Sequence, residues 1–329
     1  MIYVNLNSTD ACLNFGCEYY YAVVNPLPDD VFMLWRTTPT LMIGKYQNTR
    51  EEVDLDYAAE HGIGLVRRLS GGGTIYTDMG GWQFTFITHG GGSEIEFERF
   101  MTPVTNALRS LGLDAAATGR NDILLKTPEN RNGAKISGNT QYKKKNATVH
   151  HGSLLFETDL DTLCRAATPK SYKISSKAIK SVRERVTNIR PNLPRDMDGP
   201  EFRDYLVEKL AGRAAAVYPD ETAAREINSI ADKMFRPIDT VLGADPAFDF
   251  SREIHLPGGT VELGLTIKSG KITAASVSGD FFAGESDDIA RRITGCDFDK
   301  DAVAQALHGM DLYMMDSEKI AEMLFSEEE

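Results

Sequence analysis

Residues 67–81 read RRLSGGGTIYTDMGG: two arginines and three consecutive glycines ahead of a short apolar-aromatic run, Ile75 and Tyr76. Consecutive glycines allow positive φ angles and let a ligand lie against bare backbone, so that N–H groups can face an anion. Taken alone, Gly71, Gly72 and Gly73 fit a flexible hairpin tip equally well. Arg67 and Arg68 end the preceding strand, GLVRR, and favour a site for phosphate or carboxylate. The loop lacks the lysine of G-x-x-x-x-G-K-[ST] and the helix that follows a dinucleotide fingerprint, and it is no G-x-S-x-G elbow.

Working outward, a strand over 2–6 precedes a helix that Asp10 caps, with Leu13, Cys17, Tyr20, Tyr21 and Val24 on one face. Strands are predicted at 31–36 and 40–43, a helix at 54–61, and a strand at 83–87 with Phe84 and Phe86 on one side. An amphipathic helix over 97–111 and strands at 122–125, 135–137 and 149–156 complete a large, mixed sheet. Helices at 201–217 and 223–235 follow, and the pattern changes at RPIDTVLGADPAFDF, residues 236–250. Beyond it a hairpin turning at Ser269-Gly270 and helices at 287–293, 299–308 and 317–325 form a small α+β module. The expected domains are 1–245 and 246–329.

At 329 residues the chain exceeds the usual single core, and 42% hydrophobic and 26% charged residues are ordinary globular usage. A net charge of -12 disfavours docking on nucleic acid as a whole. Cys12, Cys17, Cys164 and Cys296 are too scattered for a disulfide framework or a zinc site, which fits reduced thiols in a cytoplasm. Neither a signal peptide nor a membrane span is expected.

A second constellation is GRNDILL at 119–125, KISGN at 135–139 and VHHGSLL at 149–155, each with a polar group next to a strand. Lys135 at the start of a strand reads as a rim charge, with Asp122 as a partner: either a structural ion pair or a lysine aimed at phosphate and carboxylate together. Adjacent residues in a strand point to opposite faces, so His150 and His151 are expected to divide between core and cleft rather than share a metal. The run KKK at 143–145 marks an exposed turn.

RRLSGGGTIYTDMG, GRNDILL, KISGN, HHGSLL and SKAIKSVRERVTNI at 176–189 stand in an order and spacing that resemble the lipoate-protein ligases. The resemblance covers most of the chain. It implies an α+β fold: a large mixed, mostly antiparallel sheet with flanking helices, like that of biotin ligases and class II synthetases, plus a small C-terminal accessory domain. It also implies a two-step reaction in which lipoate and ATP with Mg²⁺ give lipoyl-AMP and pyrophosphate, and a lysine of an acceptor protein takes the acyl group. No tightly bound prosthetic group is implied. The expected acceptors are lipoyl domains of 2-oxoacid dehydrogenase E2 subunits or the glycine cleavage H protein, with no nucleic acid or membrane partner. Lys135 falls on the catalytic lysine. Arg68, Gly71, Gly72, Gly73, Thr74, Ile75, Tyr76, Asn121, Asp122 and His151 fall on substrate contacts, and Asp122 orients Lys135 or helps hold Mg²⁺. Residues 170–190, with four Lys and three Arg against Glu184, match the adenylate-binding loop.

The chain departs from the family's His-Asp-x-Gly-Asn, reading Thr77, Asp78, Met79, Gly80 and Gly81. This leaves open which acyl chain is preferred. Alternatives are an ATP-independent octanoyl or lipoyl transferase and a non-catalytic lipoate or acyl-adenylate binder. A DNA-binding repressor would need a basic helix-turn-helix, which no N-terminal segment provides.

Overall fold

The computed structural model describes residues 1–329 except 48, 91–93, 129, 168–182, 184, 214, 243–249, 257, 269, 282–288, 311–315 and 326–329. The expected boundary at 245 and most of the basic segment 170–190 therefore lie outside the described residues.

The large sheet has seven strands: β1 (Ile2–Tyr3), β2 (Val31–Trp35), β6 (Trp82–His89), β7 (Asp114–Ala117), β8 (Asp122–Lys126), β9 (Ala134–Lys144) and β10 (Ala147–Leu154). Their spatial order is β1-β2-β6-β10-β9-β8-β7, and every pairing is antiparallel except β1 with β2. Strand alternation assigns its two faces. Trp82, Phe84 and Phe86 pack with Phe97, Phe100, Met101, Val104 and Leu108 of the helix Phe97–Ser110 and with Phe202 and Leu206 of the helix Gly199–Ala211. The spacing 97, 100, 101, 104, 108 is the single apolar stripe of an amphipathic helix, and each such large side chain buried contributes about 1.5–3 kcal/mol.

On the opposite face, Val31, Met33, Trp35 and Ile87 meet Phe15, Cys17, Tyr20 and Tyr21, with Ile227 and Phe235 behind them. The first helix, Ala11–Tyr19, is capped by Asp10, whose Oδ1 accepts from the Cys12 and Leu13 amides. It continues as a π-helical turn, Tyr20–Val24, rather than a uniform α-helix. The expected face is corrected at both ends: Val24, at the end of the π-helical turn, is 48% exposed, while Asn14 and Glu18 in the α-helical part are buried, Glu18 against Thr85 and His151 of the sheet.

A second correction concerns the strands around the glycine loop, which do not join the large sheet. The strands β3 (Thr40–Ile43), β4 (Gly64–Arg67) and β5 (Ile75–Thr77) form their own sheet, with β3 central, parallel to β4 and antiparallel to β5. The glycine loop is the β4–β5 connection. Leu41, Ile43, Val53, Ala58 and Tyr76 make the separate core beneath it.

Three further antiparallel strands, β11 (Phe250–Leu256), β12 (Gly259–Lys268) and β13 (Lys271–Ser278), form a meander that includes the expected hairpin and adds β11 before it. Val261, Leu263 and Leu265 alternate onto a core shared with the helices Ile289–Ile293, Lys300–Leu307 and Ser317–Leu324. Among the described residues no helix is long and apolar enough to cross a membrane.

Candidate functional site: a cavity across the sheet

Between the two sheets lies a cavity of about 200 Å³ lined by residues of β2, β6, β8, β9 and β10 and by the glycine loop. Lys135, Asp122 and Asn121 stand at one end; Phe15, Trp35 and Met42 line the other. Three strand spacings separate β9 from β2, roughly 14 Å at about 4.8 Å each. The cavity therefore has a charged end and a largely apolar end.

A register irregularity places the lysine. Ile123 pairs with Ser137 but Leu124 with Lys135, so Ile136 is the extra residue between them, buried in the core. The Lys135 backbone is held by the Arg185 carbonyl and the Thr187 amide. Its Nζ lies 2.8 Å from Asp122 Oδ1, with both side chains about one-third exposed, at 37% and 31%. The contact is ionic: Asp122 Oδ1 accepts no hydrogen bond of good direction. Asn121 is fixed by reciprocal bonds with Asn139: its Nδ2 donates to the Asn139 carbonyl at 2.9 Å, and its own carbonyl accepts from the Asn139 amide at 2.9 Å.

The two histidines divide between the faces. His150 is buried among Phe84, Phe97 and Phe100, and burial holds its pKa well below the usual imidazole value. His151 lines the cavity; Nδ1 lies 3.1 Å from Glu18 Oε2 and Nε2 2.7 Å from Ser70 Oγ. With Glu18 accepting from Nδ1–H, Nε2 accepts the Ser70 hydroxyl proton. Thr85 Oγ1 also donates to Glu18, at 2.5 Å, and accepts from Trp35 Nε1.

The glycine loop is built differently from the expected open cradle. Arg68 lines the cavity, is 4% exposed, and donates to the carbonyls of Met42, Gly71 and Gly73 at 2.6, 2.8 and 2.7 Å, so most of its fork shapes the loop. Burial lowers its pKa to about 10, and Asp280 offsets part of that. The Gly72 amide donates to the Phe281 carbonyl at 2.9 Å, so it does not face an anion. A Cβ on Gly71 would lie 2.0 Å from that same oxygen, which is why this loop tolerates no side chain there. Gly72, Gly73, Thr74 and Ile75 line the cavity, whereas Gly71 and Tyr76 do not. Tyr76 points to the other side of β5, as strand alternation requires, into the small core. Arg67 bonds the carbonyls of Gly44, Gln47, Thr240 and Val241 and is a strut outside the cavity.

Several lining residues carried no signal in the sequence. Trp35 and Gln83 read as ordinary strand residues, Arg120 stands inside GRNDILL without a role of its own there, and Asp280 reaches the cavity only through folding. Asp280 arrives from the segment after β13, against Gly73. Glu18 was legible in one respect: a carboxylate inside an apolar helical stretch needs a buried partner, here His151. Among the described residues no cluster of three or more His, Cys, Asp or Glu side chains is arranged to hold a metal.

The lipoyl protein ligase A/B catalytic domain family matches residues 12–211, and the bacterial lipoate protein ligase C-terminus matches residues 245–324. Lipoate–protein ligase 1 of Staphylococcus aureus is 36% identical over 94% of this chain and 94% of its own. A bipartite lipoate protein ligase of Thermoplasma acidophilum, from a structural study of that ligase and its E2 lipoyl domain, is 26% identical, covers 76% of this chain and 98% of its own, and superposes with a TM-score of 0.65. A lipoate-protein ligase A bound with ATP is 26% identical, covers 74% of this chain and 98% of its own, with a TM-score of 0.61. The cavity's motifs thus stand in a chain whose relatives match along nearly its whole length, and the chain belongs to the lipoate–protein ligase family.

Proposed function

We propose that the chain is an ATP-dependent lipoate–protein ligase whose acid lies across the sheet with its carboxylate at Lys135. The observation that carries this reading is the placement of the Lys135 ammonium at the charged end of a cavity whose other end is lined by Phe15, Trp35 and Met42. In the first step a carboxylate oxygen attacks the α-phosphorus of ATP, the bond to the bridging oxygen breaks, and lipoyl-AMP and pyrophosphate form. Two anions must approach each other, so a fixed cation between them lowers the barrier. Lys135 is that cation, and its directionally weak contact with Asp122 leaves it able to turn toward the reactants. Thr74 and Gly73 border the nucleotide's side of the cavity. In the second step an acceptor amine attacks the acyl carbonyl, AMP departs, and the amine loses its proton.

Magnesium enters with ATP as part of the substrate. Asp122 supplies one carboxylate at the right end of the cavity, and Mg²⁺ is ordinarily held by one or two carboxylates together with substrate phosphates. The acceptors that fit are lipoyl domains of 2-oxoacid dehydrogenase E2 subunits or a glycine cleavage H protein. A cysteine-dependent transferase is disfavoured, since none of the four thiols lines the cavity.

Mass spectrometry of a lipoyl domain incubated with the protein, lipoate, ATP and Mg²⁺ tests this. An ATP-dependent gain of the lipoyl mass is expected. A gain only from a carrier-bound acyl donor would overturn the ligase assignment.

A further inference from the structure

The end of the cavity away from Lys135 is not wholly apolar. Gln83 lines it, 3% exposed and in register with Trp35 on one side and Ser153 on the other. A buried amide raises free energy wherever a polar atom lacks a partner. One end of this amide is satisfied: Nε2 donates to Thr77 Oγ1 at 2.5 Å, and Thr77 is itself 1% exposed. The other end, Oε1, makes no hydrogen bond among the described residues, in a side chain that lines the cavity. The polar groups around it are already engaged, Trp35 with Thr85, Thr85 with Glu18, and His151 with Glu18 and Ser70. Thr77 is also the first of the positions at which this chain departs from the His-Asp-x-Gly-Asn that the resemblance implies.

We propose that Gln83, tethered by Thr77, reads the far end of the acyl chain and selects one ending in a dithiolane over an unbranched alkyl chain of equal carbon number. The proposal rests on the ligase reading for the direction of the acid, carboxylate toward Lys135. A ring disulfide is polarisable and turns the electron-poor extension of its S–S bond toward a carbonyl oxygen, an S···O contact that needs no proton. A terminal methyl makes no such contact, and leaves the carbonyl oxygen dehydrated and unpaired. Because this contact lies remote from the reacting carboxylate, it acts on the affinity for the acid and leaves the chemical step alone.

Calorimetric titration of the whole protein with lipoate and with octanoate tests the assignment directly. The wild type is expected to bind lipoate more tightly, and in Gln83→Met the ratio of the two affinities falls by about tenfold, chiefly because octanoate binds better. Thr77→Val, which frees the amide without changing its volume much, shifts the ratio the same way by less. If Gln83→Met does not fold, the shortened amide of Gln83→Asn is read in its place, with the same direction expected. A ratio that stays within about twofold of wild type in a variant that melts normally overturns the proposal, as does an equal loss of both affinities. A shifted ratio in a protein with no ATP-dependent transfer would sink the ligase reading and leave Gln83 standing; transfer with an unchanged ratio does the reverse.

Discussion

Lys135 Nζ lies 2.8 Å from Asp122 Oδ1, on neighbouring strands whose register slips by one residue between them. The slip aims the lysine into the cavity while Ile136 stays in the core. Without it, strand alternation would set a different side chain at the charged end.

Lys135→Ala is expected to lower the rate of pyrophosphate release by on the order of a hundred-fold or more, the scale on which removal of one preorganised charge stabiliser is felt. Lys135→Arg should recover little, because a planar fork cannot replace a compact ammonium. Wild-type turnover in either variant rules out the assigned role.

Glu18 is 1% exposed, and its carboxylate holds His151 and Thr85 together. Glu18→Ala should cost about 1–3 kcal/mol, the penalty for leaving the buried His151 N–H and Thr85 hydroxyl without an acceptor. Urea unfolding gives the value. Glu18→Gln, which keeps the shape, should cost less, and a loss below about 1 kcal/mol in Glu18→Ala would show the network to be dispensable.

Gly152 allows β10 to pass Asn139, the residue that fixes Asn121. A Cβ there would lie 2.4 Å from Asn139 Oδ1 and 2.4 Å from Phe84 Cζ. Gly152→Ala should destabilise by about 1–3 kcal/mol, as overpacking does, and should reduce activity because Asn121 moves with Asn139. A thermal melt and a turnover assay on one sample check both effects.

Asp159 caps the helix Leu160–Ala166, and its pKa is lowered first by the Thr162 hydroxyl and then by the Thr162 amide. A carboxyl with a folded pKa below its unfolded value of about 3.9 stabilises the fold above that pH and loses the contribution as pH falls through the folded pKa. Asp159→Ala should therefore cost about 1 kcal/mol at neutral pH, and the gap to wild type should close below about pH 4. A gap independent of pH would assign the effect to something other than the charge.

Burial raises the Cys12 pKa to about 11, and Cys17 and Cys164 are buried with their pKa values also raised, Cys17 furthest. Thiolate is the reactive form. Peptide mapping after brief iodoacetamide treatment at pH 8 should find Cys296 labelled first and Cys17 last.

The sequence by itself determined what depends on neighbours in the chain: the helix Phe97–Ser110 from its apolar spacing, the cap at Asp10, the opposite faces of His150 and His151, and the ordered motifs that bring Lys135 and Asp122 to one site. Tertiary structure alone decided which strands share a sheet, and so turned Tyr76 into a core and Ile75 toward the cavity. It also decided that Arg68 grips three carbonyls, that Phe281 takes the Gly72 amide, and that Glu18 meets a histidine 133 residues away. Local periodicity records which side of an element is apolar, because adjacent residues share one backbone geometry. It cannot record which distant atom completes a hydrogen bond, since that partner is fixed only when separate elements pack.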